Sequence, residues 1–247
     1  MLNKGQDENF FMLMIQPPER YKADDIPPRE YIFVLDVSGS MYGYPLDTAK
    51  ALIKDLVSNL RDTDSFNLIL FSEESMQMSA QSIPASAENI QKAFDYIDRE
   101  EGGGGTEMAP ALRKALAIPR NPDVSRSIIT ITDGYLSGEK EIFDIVSKNL
   151  SDTSFFSFGI GDSVNRYLVD GIAKVGQGEA FVVTDSDDAA ATAKRFRTYI
   201  EAPLLSDIKV AYNGFETYDV APEVLPTCLP SVRWFCSENG AASPTER

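Results

Sequence analysis

The chain has 247 residues, with 38 acidic and 23 basic side chains, a formal net charge of −15 and no histidine. Its lysines and arginines are too few and too scattered for the basic stripe that phosphate backbones require, so nucleic acid and anionic membrane surfaces are poor partners. The missing imidazole removes Ser-His-Asp and Cys-His nucleophiles, histidine metal sites and histidine pH switches. Apolar residues make up 43%, ordinary for a folded protein, and the length suits one large domain, alone or with a small appendage.

The N-terminal apolar run, Phe10 to Ile15, is far shorter than the ~18 residues needed to span a bilayer. Asp7 and Glu8 precede it where a signal peptide would be basic, so neither direct membrane insertion nor a leader is expected. A proline-rich connector follows (Pro17, Pro18, Pro27, Pro28). Tyr31 to Asp36 is a continuous apolar run closed by a carboxylate, the pattern of a strand buried on both faces. Ala49, Leu52, Ile53, Leu56, Val57 and Leu60 then recur at amphipathic helix spacing. Phe66 to Phe71 predicts a second strand and Met76 to Ser79 a short third, with the Met76/Met78 pair packing an edge strand. Helices are predicted over 86–99 and 107–117. Ser127 to Thr132 reads as a fourth strand, with a helix through Ile142, Phe143, Val146 and Leu150. Phe155 to Ile160 is the fifth strand, 165–174 a helix, Ala180 to Thr184 the sixth strand and 188–200 the final helix.

This alternation predicts a doubly wound α/β domain: a mostly parallel six-stranded sheet with helices on both faces. The expected divisions are an N-terminal flank over 1–29, the α/β domain over 30–201, a C-terminal β flank over 202–226, and a tail over 227–247. The flank runs Phe10 to Ile15 and Ile208 to Tyr212 cannot bury themselves alone and are expected to meet in a small β module outside the main sheet. Thr217 to Val220 follows the Asn213-Gly214 turn signal as a further strand.

In open α/β sheets ligands bind beyond the carboxyl ends of the strands, where strand order reverses. Strand one ends in Asp36-Val-Ser38-Gly-Ser40 and strand four in Thr132-Asp133-Gly134. Between them, Gly102-Gly-Gly-Gly105-Thr106-Glu107 opens a helix. Asp36 and Asp133 with the hydroxyls of Ser38, Ser40 and Thr106 form an all-oxygen donor set, suited to Mg²⁺, Mn²⁺ or Ca²⁺. Two carboxylates held close repel unless a cation lies between them. The glycine run lacks the lysine of a phosphate-binding loop, which removes that reading. Asp162 and Ser163 are expected to cap a helix rather than reach the site.

Asp36-x-Ser38-x-Ser40 with Thr106 and Asp133-Gly134 resembles the metal-ion-dependent adhesion site of von Willebrand factor type A domains. Pro27-Pro-Arg-Glu-Tyr-Ile-Phe-Val-Leu-Asp-Val-Ser-Gly-Ser-Met41, Pro45-Leu-Asp-Thr-Ala-Lys50 and Phe158-Gly-Ile-Gly-Asp-Ser-Val-Asn-Arg166 are similar to bacterial proteins that join such a domain to a vault/inter-alpha-trypsin domain. The resemblance implies a Rossmann-like fold, cation binding by Asp36, Ser38, Ser40, Thr106 and Asp133, and a partner protein whose Asp or Glu carboxylate fills the remaining coordination position. It also implies an extracytoplasmic or cell-surface setting, no catalytic residue, and an upstream domain missing from this chain. Tyr42, Tyr44, Glu107 and Tyr135 are candidate partner contacts or simple rim residues. The family pattern continues after Pro226 with Asp, an apolar residue and Phe-Ala, whereas this chain reads Thr227-Cys228-Leu-Pro. Plausible codons read one frame over restore that pattern, so residues 227–247 are expected to be a frameshifted or disordered tail.

Two other functions compete. One is Mg²⁺-dependent phosphoryl transfer with Asp36 as nucleophile, which lacks its general acid because Ser38 stands where a second carboxylate is needed. The other is a structural scaffold whose metal only locks the loops.

Overall fold

The computed structural model describes residues 2–4, 9–15, 27–136, 138–150, 153–176, 178–184, 186–200, 210–211, 216–221 and 234–241. They fall into two compact units, Pro27–Thr198 and a smaller one made of Met1–Ile26 with Tyr199–Arg247. Strands β1 (Leu2–Lys4) and β2 (Asn9–Ile15) belong to the smaller unit.

The larger unit begins with β3 (Arg29–Asp36), in which every residue is buried. A 3₁₀ turn over Gly39–Met41 leads into α1 (Tyr44–Ser58). Then come β4 (Ser65–Phe71), β5 (Ser75–Gln77), β6 (Ile83–Pro84), α2 (Ala87–Asp98) and α3 (Met108–Ala117). The second half runs β7 (Ser125–Thr132), α4 (Glu139–Ser147), β8 (Thr153–Ile160), α5 (Arg166–Val175), β9 (Ala180–Val183) and α6 (Ser186–Ile200).

The sheet order is β5-β4-β3-β7-β8-β9, with β6 pairing β4. β3, β4, β7, β8 and β9 are parallel, while β5 and β6 run antiparallel to β4. The expected six strands are therefore joined by a seventh of two residues. Pro84 hid it, because a proline reads as a strand breaker except at an edge.

Alternation along the strands divides the core into two layers. Ile32, Val34, Ile128 and Phe155 pack with Met108, Leu112, Ile142, Val146, Leu168 and Ile172 of α3, α4 and α5. On the other face, Phe196 of α6 makes edge contacts with Phe156, Phe158 and Phe181. Burying such a ring contributes about 1.5–3 kcal/mol. On α6, Ala189, Ala193 and Phe196 are buried, while Ala190 and Ala191 face solvent. Arg197 of α6 also pairs with Asp55 of α1.

β3 has β4 on one side and β7 on the other. The chain leaves β3 toward one half of the sheet and later returns to build the other half from β7. The loops after β3 and β7 therefore diverge and leave a crevice at the carboxyl edge.

The smaller unit contains β10 (Glu216–Ala221) and β11 (Trp234–Ala241), in the antiparallel order β1-β2-β11-β10. β2 pairs β11 from Ile15↔Trp234 to Asn9↔Gly240. In chain order the α/β unit is thus inserted between β2 and β10. Phe10 to Ile15 does enter a β module, but its partner is β11. Of Ile208 to Tyr212, only residues 210–211 are described, and they are not in a strand; Asn213-Gly214 lies outside the described residues. Within 227–247, the expected frameshifted or disordered tail, Trp234–Ala241 is not disordered but is paired as β11. Trp234 and Phe235 have high strand propensity, and the unpaired edge of β2 offers them a template.

Candidate metal centre

Asp36 ends β3 fully buried, and its two carboxylate oxygens are held by different parts of the chain. Oδ1 accepts the Ser38 amide at 2.9 Å, closing a tight turn that reverses the chain after the strand. Oδ2 accepts the Thr132 hydroxyl at 2.6 Å from the end of β7. The Ser38 and Ser40 hydroxyls face each other at 3.2 Å. Ser38 is buried, whereas Ser40 is open to solvent.

The glycine-rich loop is pinned onto this turn by its backbone. Gly39 N–H donates to the Gly104 carbonyl at 3.1 Å, and Gly103 N–H donates to the Val37 carbonyl at 2.9 Å. Gly104 sits at φ +80, a conformation that a side chain would oppose. Glu107 N–H donates to the Ser72 carbonyl at 2.8 Å, anchoring the end of the loop to the segment after β4. Thr106, half-buried, is held between these anchors immediately before α3.

Asp133 follows β7 and is nearly buried. Its Oδ1 accepts the Tyr135 amide at 3.1 Å, and its carbonyl accepts the Asn165 amide at 3.0 Å. Gly134 N–H donates to the Thr132 hydroxyl at 2.9 Å, while the Asn165 side chain donates to the Gly134 carbonyl at 3.0 Å. The loops that carry Asp36, Ser38, Ser40, Thr106 and Asp133 thus meet at the switch point, the first two tied through the backbone and the third through the Thr132 side chain.

Burial raises the Asp36 carboxyl above the usual carboxylate range. The hydrogen bonds from Ser38 and Thr132 pull it back, and the negative charge of Asp133 pushes it up again. Without a cation, the fold holds a desolvated carboxylate beside a second one, with two hydroxyls turned toward each other. The donor chemistry fits a hard divalent cation, which would relieve the repulsion and use these same oxygens. Among the described residues there is no group of three or more His, Cys, Asp and Glu arranged for a metal. This is consistent with a set that is hydroxyl-rich and has only two carboxylates.

The four rim residues stand on the same loops. Tyr42 is 72% exposed and Tyr135 55%, with Tyr44 and Glu107 also open to solvent. Asp162 and Ser163 are exposed after β8 and do not cap α5; Asn165 does, accepting the Leu168 amide at 3.4 Å. Met76 lies on edge strand β5, 45% exposed.

Sequence reasoning missed Thr132, Asn165 and Ser72, all of which position the site. Thr132 sits two residues before Gly134 and next to Asp133, but in a strand a threonine reads first as a β-branched strand former.

A mostly parallel, doubly wound sheet with oxygen donors gathered at its switch point defines a Rossmann-like α/β domain. A family profile of the von Willebrand factor type A domain matches residues 29–182, and the chain belongs to that family. It is 28% identical over 219 residues to a von Willebrand factor A domain-containing protein of Dictyostelium discoideum, covering 88% of this chain and 24% of that protein. It is 30% identical over 207 residues to the inter-alpha-trypsin inhibitor heavy chain H6 of Homo sapiens, covering 76% of this chain and 16% of the human protein. The chain thus spans a quarter or less of these curated relatives. A solved von Willebrand factor type A structure from Catenulispora acidiphila aligns with a TM-score of 0.69 at 15% identity, over 99% of this chain and 68% of that one. Domains of this family are typically protein-interaction modules and generally not enzymes. No helix among the described residues is long and apolar enough to cross a membrane.

Proposed function

We propose that the chain is a non-catalytic, divalent-cation-dependent protein-binding module. Asp36, Ser38, Ser40, Thr106 and Asp133 hold the cation, directly or through water, and a partner protein's Asp or Glu carboxylate completes its shell. When bound, Mg²⁺, Mn²⁺ or Ca²⁺ supplies a Lewis-acidic centre with one exchangeable position. Asp36 and Asp133 supply the anionic charge. Ser38, Ser40 and Thr106 supply neutral oxygens, so the cation keeps enough positive charge to attract a third carboxylate. The Thr132 hydroxyl holds Asp36, and Asn165 holds the loop that carries Asp133.

The observation that carries this reading is the placement of Asp36, fully buried at a strand end, hydrogen-bonded on both oxygens and close enough to Asp133 to feel its charge. A site with only two carboxylates is expected to bind its cation with a dissociation constant of roughly 10⁻⁴ to 10⁻³ M. Such a site fills where the cation is millimolar, which suits an extracytoplasmic or cell-surface setting.

Immobilised protein, probed with a short peptide bearing one central Asp in Mg²⁺ or in chelator, tests this. The expected result is binding that chelator removes and that Asp36→Ala abolishes. Binding indifferent to both treatments would contradict coordination. Turnover of a phosphate ester abolished by Asp36→Asn would instead support phosphoryl transfer.

A further inference from the structure

Five large apolar side chains stand exposed among the described residues: Tyr42, Tyr44, Met76, Tyr135 and Tyr167. All five lie at the carboxyl edge of the main sheet. Tyr42 and Tyr44 follow β3, and Met76 pairs with Leu70 near the end of β4. Tyr135 follows β7, and Tyr167 is in the first turn of α5 after β8. Apolar surface gathered on one edge, while the rest of the unit keeps such side chains inside, marks an interaction surface.

The loops of the same edge are predominantly acidic. The loops over 37–43, 72–74, 100–107, 133–138 and 161–165 contain no lysine or arginine. They carry five exposed carboxylates: Glu73, Glu74, Glu101, Glu107 and Asp162. Glu73 lies against the loop before Thr106, since a Cβ added at Gly105 would stand 3.2 Å from its Cγ. The nearest cations are Arg99, which adjoins Glu100, and Lys140 and Arg166 on the adjoining helices; Arg166 faces Asp170 at 3.9 Å, while the Lys50 and Lys114 ammonium groups donate to the Glu100 and Ser75 carbonyls. A divalent cation balances only Asp36 and Asp133, so the rim stays anionic when the centre is filled.

The centre and its rim therefore make opposite demands. The centre attracts a carboxylate, and the rim repels the rest of any acidic segment that brings one. We infer that the partner is a basic protein segment in which a single Asp or Glu is flanked on both sides by Lys or Arg. The flanking cations face the Glu73 and Glu107 carboxylates, and their aliphatic stems lie on the Tyr42 and Tyr135 rings. This rests on the cation-dependent binding proposed above.

The test uses the full chain and synthetic peptides with one central Asp flanked by Lys, by Ala or by Glu, plus a Lys-flanked peptide with central Asn. In Mg²⁺ at low salt, the Lys-flanked Asp peptide is expected to bind about tenfold tighter than the Ala-flanked one, mainly through a faster association rate. The Glu-flanked peptide should bind weakest, and added salt should compress the series. Glu73→Gln combined with Glu107→Gln, both at exposed positions, should reduce the Lys-over-Ala preference several-fold. Equal, chelator-sensitive binding of the Lys- and Ala-flanked peptides would overturn the basic-partner inference while leaving the cation site standing. A Glu-flanked peptide binding best would overturn it too. A Lys-flanked Asn peptide binding as well as its Asp counterpart, with no effect of chelator, would overturn the coordination reading and with it this inference.

Discussion

The Thr132 hydroxyl donates to Asp36 Oδ2 at 2.6 Å and accepts the Gly134 amide at 2.9 Å. One side chain thus fixes the carboxylate at the end of β3 relative to the loop that carries Asp133. Thr132→Val keeps the shape but removes the donor, leaving a buried carboxylate oxygen without a partner. The expected cost is about 1–3 kcal/mol of stability, with a weaker cation-dependent rise in melting temperature. Thr132→Ser should restore both, and thermal melts in Mg²⁺ and in chelator measure them.

Gly134 is at φ +83, and an added Cβ would stand 2.7 Å from the Asn165 Cβ. Gly134→Ala forces a displacement at the point where Asn165 holds the Asp133 loop. A loss of about 1–3 kcal/mol is expected from the backbone conformation alone, along with a reduced cation response. Wild-type Mg²⁺ dependence in this variant would show that Asn165 and Gly134 do not position Asp133.

The main sheet and the loops that carry the five candidate ligands were legible because each strand announces itself locally. Tyr31 to Asp36 and Ser127 to Thr132 are apolar runs closed by polar residues, and parallel pairing sets those ends side by side. The supporting bonds were not legible. Asn165 reaches Gly134 across 31 residues, and Glu107 meets Ser72 through the backbone, which carries no side-chain signature. The pairing of β2 with β11 joins segments more than two hundred residues apart. Nothing local in either one names its partner. Helix α5 is legible in its periodicity, but its cap is Asn165 rather than Asp162 or Ser163, because the loop turns two residues later than the sequence suggests.

Glu30 and Arg126 form a buried ion pair at the opposite end of β3, with Arg126 Nε 2.6 Å from Glu30 Oε2 and both side chains almost fully enclosed. Arg126 also donates to the Ile118 and Pro119 carbonyls, and Ser82 donates to Glu30. Arg126→Met leaves a buried carboxylate uncompensated and is expected to destabilise by about 3–5 kcal/mol. The double variant Glu30→Leu/Arg126→Met should recover much of that loss. Chemical denaturation of the three proteins reads the difference, and a double variant no better than the single one would contradict it.

Burial first, and then the charge of Glu100, push the Tyr96 phenol up to about 12. Its hydroxyl is enclosed without a hydrogen-bond partner among the described residues. Tyr96→Phe is therefore expected to be neutral or slightly stabilising at pH 7, within about 1 kcal/mol. An unfolded tyrosine ionises near pH ~10, so the unfolded chain loses this proton before the folded one does. Wild type should lose stability relative to Tyr96→Phe as pH rises from about 10 to about 12, with no relative change below that window. Parallel pH profiles would contradict the assignment.

The central claim is that Asp36 and Asp133 hold one divalent cation. Titration of Mn²⁺ into the protein, with free ion read by electron paramagnetic resonance, tests it most directly. Wild type should bind one ion at submillimolar to millimolar concentration, and Mg²⁺ should displace it. The melting temperature should rise in step, by on the order of 1 kcal/mol of stabilisation at several times the dissociation constant. Asp36→Asn and Asp133→Asn should each abolish that binding while remaining folded in chelator. Retention of the same single-ion isotherm by both variants would place the cation elsewhere and contradict the account.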